Sequence, residues 1–274
     1  MDTRWMALGL AGICAIAAAT WSVAARADKL DDVIASGKLR CGAMLDFPPA
    51  GFRDQSNEPA GYDVDYCRDM AKALGVEAEI VETPSPQRLP ALISGQVDIS
   101  IGSVTATLER AKTVAFSNIY LVYKLSVLVK EDSGITAWEG LKGKRVAVVR
   151  GTTPEIEYLK HCSTWAEGCL HESYGSNGDQ LLAFNQGKVD AMIEASGFLG
   201  ALVNSPQGAG LKICCDVPGF TDWIAIATNR GERGFLDWIN LFIFYQVDSG
   251  RYAELYTKWF GATPPKLVRD DVQF

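Results

Sequence analysis

The sequence predicts an α/β fold in two lobes, each a mostly parallel sheet flanked by helices, with hinge strands joining them. Three observations carry this. Strand and helix patterns alternate from Leu39 onward, which is the mark of parallel strands linked by crossover helices. The apolar run YLVYKLSVLVK, residues 120 to 130, is unusually long for one strand, and the alternating pattern restarts after it. An internal echo follows: LISGQVDISI (92 to 101) and FNQGKVDAMI (184 to 193) share a helix end, Gly, Val-Asp and an apolar strand. Helix–Gly–strand junctions recur in many α/β folds. Their equivalent placement in two runs points to two lobes on one plan.

The elements follow in order. KLDDVIASGKLRCGAM reads as a short helix, a stop at Gly37 and a strand from Leu39 to Met44. DFPPAGF reads as a proline-fixed loop. Tyr62 to Leu74 is an amphipathic helix with Val64, Cys67, Met70, Ala71 and Leu74 on one face, ended by Gly75. Ala78 to Val81 is a strand, Arg88 to Ser94 a short helix and Val97 to Ile101 a strand. SIGSVTATLERAKTVAFS (100 to 117) then runs from that strand through small hydroxyl residues into a brief helix bearing Glu109, Arg110 and Lys112. After the long run, Arg145 to Val149, Leu170 to Tyr174, Val189 to Glu194 and Ile224 to Thr228 read as strands. GTTPEIEYL and Gly178 to Gln186 read as helices. Two C-terminal helices break at Asp248-Ser249-Gly250. Phe235, Trp238, Ile239, Phe242, Ile243 and Gln246 form a stripe at helical spacing, as burial of one helix face requires.

The N-terminus reads as an export signal. Trp5 to Val23 is apolar behind Arg4, and Ala25-Arg26-Ala27 fits a small-x-small cleavage site, so residues 1–27 are expected to be removed. An uncleaved anchor is the alternative, because the apolar stretch is nearly long enough to span a bilayer. Cleavage removes Arg4, Arg26 and Asp2, which moves the net charge from −7 to −8. An acidic chain argues against nucleic acid or anionic lipid as partner.

Six cysteines remain once Cys14 is gone: Cys41, Cys67, Cys162, Cys169, Cys214 and Cys215. An even number in an exported chain favours disulfides. Cys41–Cys67 is the first pairing expected, a strand tied to the following helix, with the other four pairing among themselves. His161 and His171 flank the Cys162–Cys169 stretch, so zinc is a minor alternative there. No metal and no cofactor is expected.

Together these residues resemble the solute-binding proteins of ABC importers known as family 3. GKLRCG (37 to 42), DFPP (46 to 49), GYDVDYCRDMAKALGV (61 to 76) and RLPALISGQVDISIGSVTATLERAKTVAFS (88 to 117) carry the likeness. LKGKRVAVVRGTT (141 to 153), GKVDAMI (187 to 193) and SGRYAELYTKWFG (249 to 261) extend it. The resemblance implies a type II periplasmic-binding-protein fold: one lobe of residues 28–121 and 224–274, the other of 122–223, closing around a ligand.

The resemblance also implies a site. The arginine matching Arg110 grips the ligand's α-carboxylate, and a guanidinium fork matches the two oxygens of a carboxylate. Gly102, Ser103 and Thr105 stand beside it at the strand mouth. Thr152 and Thr153 match a second cluster at a helix N-terminus, where free N–H groups favour an anion. Phe47 matches an aromatic that lies against the ligand. Each has a plainer reading: Arg110 pairing with Glu109 or Asp98, Thr107 and the paired threonines as caps, Phe47 as a loop anchor. The family's acid for the ligand's α-amino group falls at Ala195. Glu194 is its neighbour, and strand alternation points it the other way unless the strand end twists.

The implied function is a periplasmic, monomeric receptor, not an enzyme. It would capture an amino acid or related small carboxylate for an inner-membrane ABC permease. A sensor or accessory protein of the same fold is one alternative. A dehydratase-like enzyme is another, with Glu194 as the one acid near the cleft.

Overall fold

The computed structural model describes residues 28–267. The predicted export signal and its cleavage site lie outside the described residues. Helix α1 (Lys29–Ser36) is capped by Asp28 and stopped by Gly37 at φ 68°. The Asp28 carboxylate also accepts from the N–H groups of Gly234 and Phe235, so one side chain caps two helices far apart in sequence. Strand β1 (Lys38–Ala43) follows. Then come three short strands, β2 (Asp46–Phe47), β3 (Gly51–Arg53) and β4 (Pro59–Ala60), pairing as an antiparallel meander. This replaces the plain loop expected there, because strands of two or three residues are too short to display an alternating pattern.

Helix α2 (Tyr62–Leu74), strand β5 (Glu77–Glu82), helix α3 (Arg88–Ile93) and strand β6 (Ile99–Ser100) lie where the sequence pattern puts them. The long apolar run is not one strand. Strand β7 (Val114–Tyr123) ends before Lys124, and β8 (Leu125–Lys130) begins after it in a different sheet. Strand β9 (Val146–Val149), helix α4 (Thr153–Cys162), strand β10 (His171–Tyr174), helix α5 (Asn177–Asn185) and strand β11 (Ala191–Ala195) complete the second βα run. Helix α6 (Ser196–Val203) and strand β12 (Leu211–Asp216) follow, then β13 (Asp222–Asn229), α7 (Arg233–Asp248) and α8 (Arg251–Phe260).

The first sheet has the order β5-β1-β6-β13-β7 and the second β10-β9-β11-β8-β12. In each, one strand runs against the other four: β13 in the first, β8 in the second. The chain crosses between sheets at Lys124 and again between Asp216 and Asp222. The Lys124 ammonium pairs with Asp216 at 2.9 Å, and the Ser126 hydroxyl donates to the same carboxylate at 2.7 Å.

Cys41 and Cys67 form a disulfide that ties β1 to α2, as expected. Cys162 and Cys169 form a second, which occupies the thiols a zinc site would have used. Tyr62, Tyr66, Tyr120 and Phe235 fill the space under the first sheet. Trp138, Tyr158 and Val148 belong to a separate cluster under the second. No helix among the described residues is long and apolar enough to cross a membrane.

Candidate functional site

The two sheets face each other across a cleft, and the segment after β6 forms one wall. Ile101 N–H donates to Gly42 O, which ends the strand pairing. Gly102 follows. A Cβ there would stand 3.0 Å from the Met44 nitrogen and 3.3 Å from Arg88 Cδ, so a side chain fits only if its neighbours give by a few tenths of an ångström. Ser103 adopts φ 52°, the left-handed region that non-glycine residues rarely enter. Its hydroxyl donates to Asp63 Oδ2 at 3.0 Å, and Tyr120 OH donates to Asp63 Oδ1 at 2.8 Å. The Arg88 guanidinium donates to the carbonyls of Gly102 and Ser103. A buried acid and a buried cation thus hold this turn from two sides.

Arg110 sits on the short turn that follows. Its guanidinium donates to Thr105 O at 3.0 Å and, across the cleft, to Gly151 O at 3.0 Å and Thr153 Oγ1 at 3.4 Å. The plainer pairings are taken by other residues: Glu109 binds Lys112, and Asp98 binds Arg40. Thr107 does act as a cap, accepting from Arg110 N–H.

The opposite wall is the N-terminus of α4. Thr153 Oγ1 donates to Thr105 Oγ1 at 2.7 Å, a direct hydroxyl bridge between the two walls. Thr152 does not cap α4 with its side chain. Its hydroxyl turns back to Val149 O instead. Two more contacts span the cleft. Phe47 stacks on Phe198 of α6 with ring centroids 4.8 Å apart. Asp46 Oδ2 accepts from the N–H groups of Asn177 and Gly178 at the start of α5, where the unpaired amides favour an anion.

Between the walls lies a cavity of about 30 Å³, lined by residues from both. Phe47, Ser103, Thr105, Thr152, Thr153 and Glu194 all line it. Gly102 and Arg110 do not line it: Arg88 holds the Gly102 carbonyl, and Arg110 binds groups on both walls. Glu194 and Ala195 both reach the cavity, although neighbours on a strand point to opposite faces. The reason is that β11 ends at Ala195 and the chain turns at once into α6.

Arg88, Asn177 and Asp222 also line the cavity and were not singled out by sequence reading. Arg88 had one clue, a cation opening the otherwise apolar stretch RLPALI. Asp222 had none, because an acid before a strand is ordinary.

The electrostatics are concentrated here. Glu194 is 4% exposed, accepting from Asn177 Nδ2 at 2.9 Å and from Ala195 N–H. Burial pushes its carboxyl up to about 8, against the pull of that N–H and of Arg88. Burial likewise raises Asp222 to about 6, opposed first by a hydrogen bond from Thr105 and then by the charges of Arg110 and Arg88. Asp222 Oδ1 and Asn177 Oδ1 are buried without a hydrogen-bond partner, and such groups are costly unless satisfied. Burial and the like charge of Arg110 lower Arg88 to about 10. One guanidinium, Arg88, and two carboxyls, Glu194 and Asp222, thus line one small space, with acceptors left over for a donor-bearing guest.

The sequence pattern of bacterial extracellular solute-binding proteins, family 3, matches residues 39–262. The chain belongs to this family. A glutamine-binding ABC transporter protein of Bacillus subtilis, GlnH, is 30% identical over 86% of each chain. The L-cystine-binding protein TcyJ of Escherichia coli is 29% identical over 94% of this chain and 96% of its own. Among solved structures, a mutant of the T. maritima protein ArgBP superposes with TM-score 0.78 at 32% identity, covering 85% of this chain and all of that one. An ancestral amino-acid-binding protein described as a precursor of cyclohexadienyl dehydratase superposes with TM-score 0.75 at 29% identity, covering 85% of this chain and 100% of that one. The fold of this family 3 chain is therefore the two-lobed type II periplasmic-binding-protein fold.

Proposed function

We propose that this protein is a periplasmic receptor that captures an amino acid or closely related small carboxylate and delivers it, as a monomer, to an ABC permease in the inner membrane. The observation that carries the reading is Arg110. Its guanidinium donates to groups on both walls of the cleft. A ligand carboxylate in place of those weaker acceptors gains a charge-assisted fork. Thr105, Thr153 and the amides at the start of α4 add donors, Ser103 and Gly102 shape the turn, and Phe47 covers the apolar part of the guest. Asp222 and Glu194 stand in for the acid missing at Ala195 and receive the ammonium.

A cavity of about 30 Å³ holds little more than one water. Entry of an amino acid therefore requires the lobes, one built on each sheet, to part about the crossings at Lys124 and 217 to 221. Closure then follows because both walls touch the same guest.

A thermal-shift screen of amino acids and organic acids tests this. A ligand that binds only the folded chain raises its stability by about 4 kcal/mol at a thousandfold excess over Kd. One small carboxylate producing a shift of several degrees is the expected result. A flat response across both classes overturns the reading.

One observation favours an enzyme instead. Glu194, protonated up to about pH 8, is a carboxylic acid in a cleft, which is what proton transfer uses. The relatives are binding proteins, and the receptor reading predicts that a bound ligand is recovered unchanged. Conversion of that ligand, lost in Glu194→Gln, would favour the enzyme.

A further inference from the structure

Strand β12 carries a feature that the cleft does not use. Its register with β8 runs Ile213 to Leu128 and then Cys215 to Val127, leaving Cys214 without a partner. Successive side chains on a regular strand point to opposite faces, and a bulge breaks that alternation. Here the two thiols of adjacent residues lie 2.9 Å apart, both partly exposed, and both pack against the cluster that contains Trp138 and Tyr158. The other described cysteines are already joined as Cys41–Cys67 and Cys162–Cys169.

We infer that Cys214 and Cys215 are a redox modification site, a vicinal dithiol that closes to a disulfide by exchange with a disulfide donor. The hydrogen bond between the two thiols helps whichever of them is the thiolate. The attacking thiolate forms a bond to one donor sulfur, and the donor's other sulfur leaves as a thiolate. The neighbouring thiol then gives up its proton and attacks the sulfur that now carries the donor, and the second donor thiolate leaves. The donor gains two electrons and ends as a dithiol, or as two thiols if its halves are separate. The product ring spans a single peptide bond, and the bulge supplies the backbone departure from a regular strand that such a ring needs.

The site can be read in one peptide. Trypsin cuts after Lys212 and Arg230, so residues 213–230 carry Cys214 and Cys215 and no other cysteine. The full chain is reduced under native conditions, equilibrated with oxidised glutathione, quenched with an alkylating agent and digested. The expected peptide is unalkylated and lighter by two hydrogens than its dithiol form. A peptide carrying two alkyl groups, a lasting glutathione adduct, or a cross-link to the 161–188 peptide overturns the proposal. Cys214→Ser and Cys215→Ser are each expected to retain glutathione on the remaining cysteine, because the thiol that resolves the adduct is gone. Absence of the adduct from both variants overturns the exchange route.

Discussion

Asp222 is the residue whose substitution separates two kinds of ligand. If it holds an ammonium, Asp222→Asn weakens an amino acid by about 1.5–3 kcal/mol, roughly tenfold to a hundredfold, and leaves the matching des-amino acid nearly unchanged. Calorimetry on both ligands checks this, and equal losses would remove the ammonium role. The buried acids also set a pH dependence. Burial raises Asp222, Asp63 and Glu194 to about 6, 7 and 8. Each holds its proton more tightly folded than unfolded, so stability is present at low pH and is lost as pH rises from the ordinary carboxylate range toward 8. The depressed carboxyls Asp190 and Asp216 act below that window. The unliganded chain is therefore expected to melt several degrees higher at pH 5.5 than at pH 8.5, and Glu194→Gln to flatten the slope. A melting temperature that rises across this window contradicts the assignment. At this scale the sequence was legible where a motif names a residue. Arg110, Thr105 and Thr153 meet as their motifs imply. Arg88 and Asp222 were not legible, because only the fold brings positions so distant in the chain onto one cavity.

At the scale of elements, the best-read segments are those with one apolar face and a glycine stop. Helix α2 shows both, ending at Gly75 with φ 72°. Three things escaped reading. The β2–β4 meander is too short for periodicity. The stretch that forms α6, SGFLGALV, is apolar nearly all round, so no face stands out. Strand β12 is broken by its bulge. The Cys41–Cys67 bond is the element-scale feature with the clearest energetic consequence. It closes a loop with sequence separation 26, for which chain entropy gives about 3.5 kcal/mol. Replacing both cysteines by serine should lower the denaturation free energy by about 2–4 kcal/mol in urea titrations. A loss below about 0.5 kcal/mol would show that the unfolded chain is already constrained there. Asp46 gives a second test. Its carboxylate reaches the α5 amides from the other side of the cleft, so Asp46→Ala should favour the open arrangement and weaken ligand binding by about 1 kcal/mol. Unaltered affinity would place that contact outside closure.

At the scale of the whole molecule, two sheets share two crossings and one small cavity. The mostly parallel order of each sheet places the starts of α4 and α5 at the cleft, because a crossover helix begins where its strand ends. The division into lobes was legible from the restart of the βα pattern after residue 130. The exact residue at which the chain changes sheets was not, because Lys124 interrupts an apolar run that otherwise reads as continuous. Closure costs little in new contacts if a guest takes the place of the Arg110–Gly151 and Thr105–Thr153 bridges. The central claim is thus that Arg110 grips a carboxylate held between the lobes. Isothermal titration calorimetry of the wild-type chain and of Arg110→Ala, with the small carboxylate that stabilises the wild type most, tests it most directly. The account predicts one site per chain and an affinity about a hundredfold or more weaker in the variant, the loss of about 3 kcal/mol expected when one partner of a buried charge pair is removed. Equal affinity in the two proteins would contradict it.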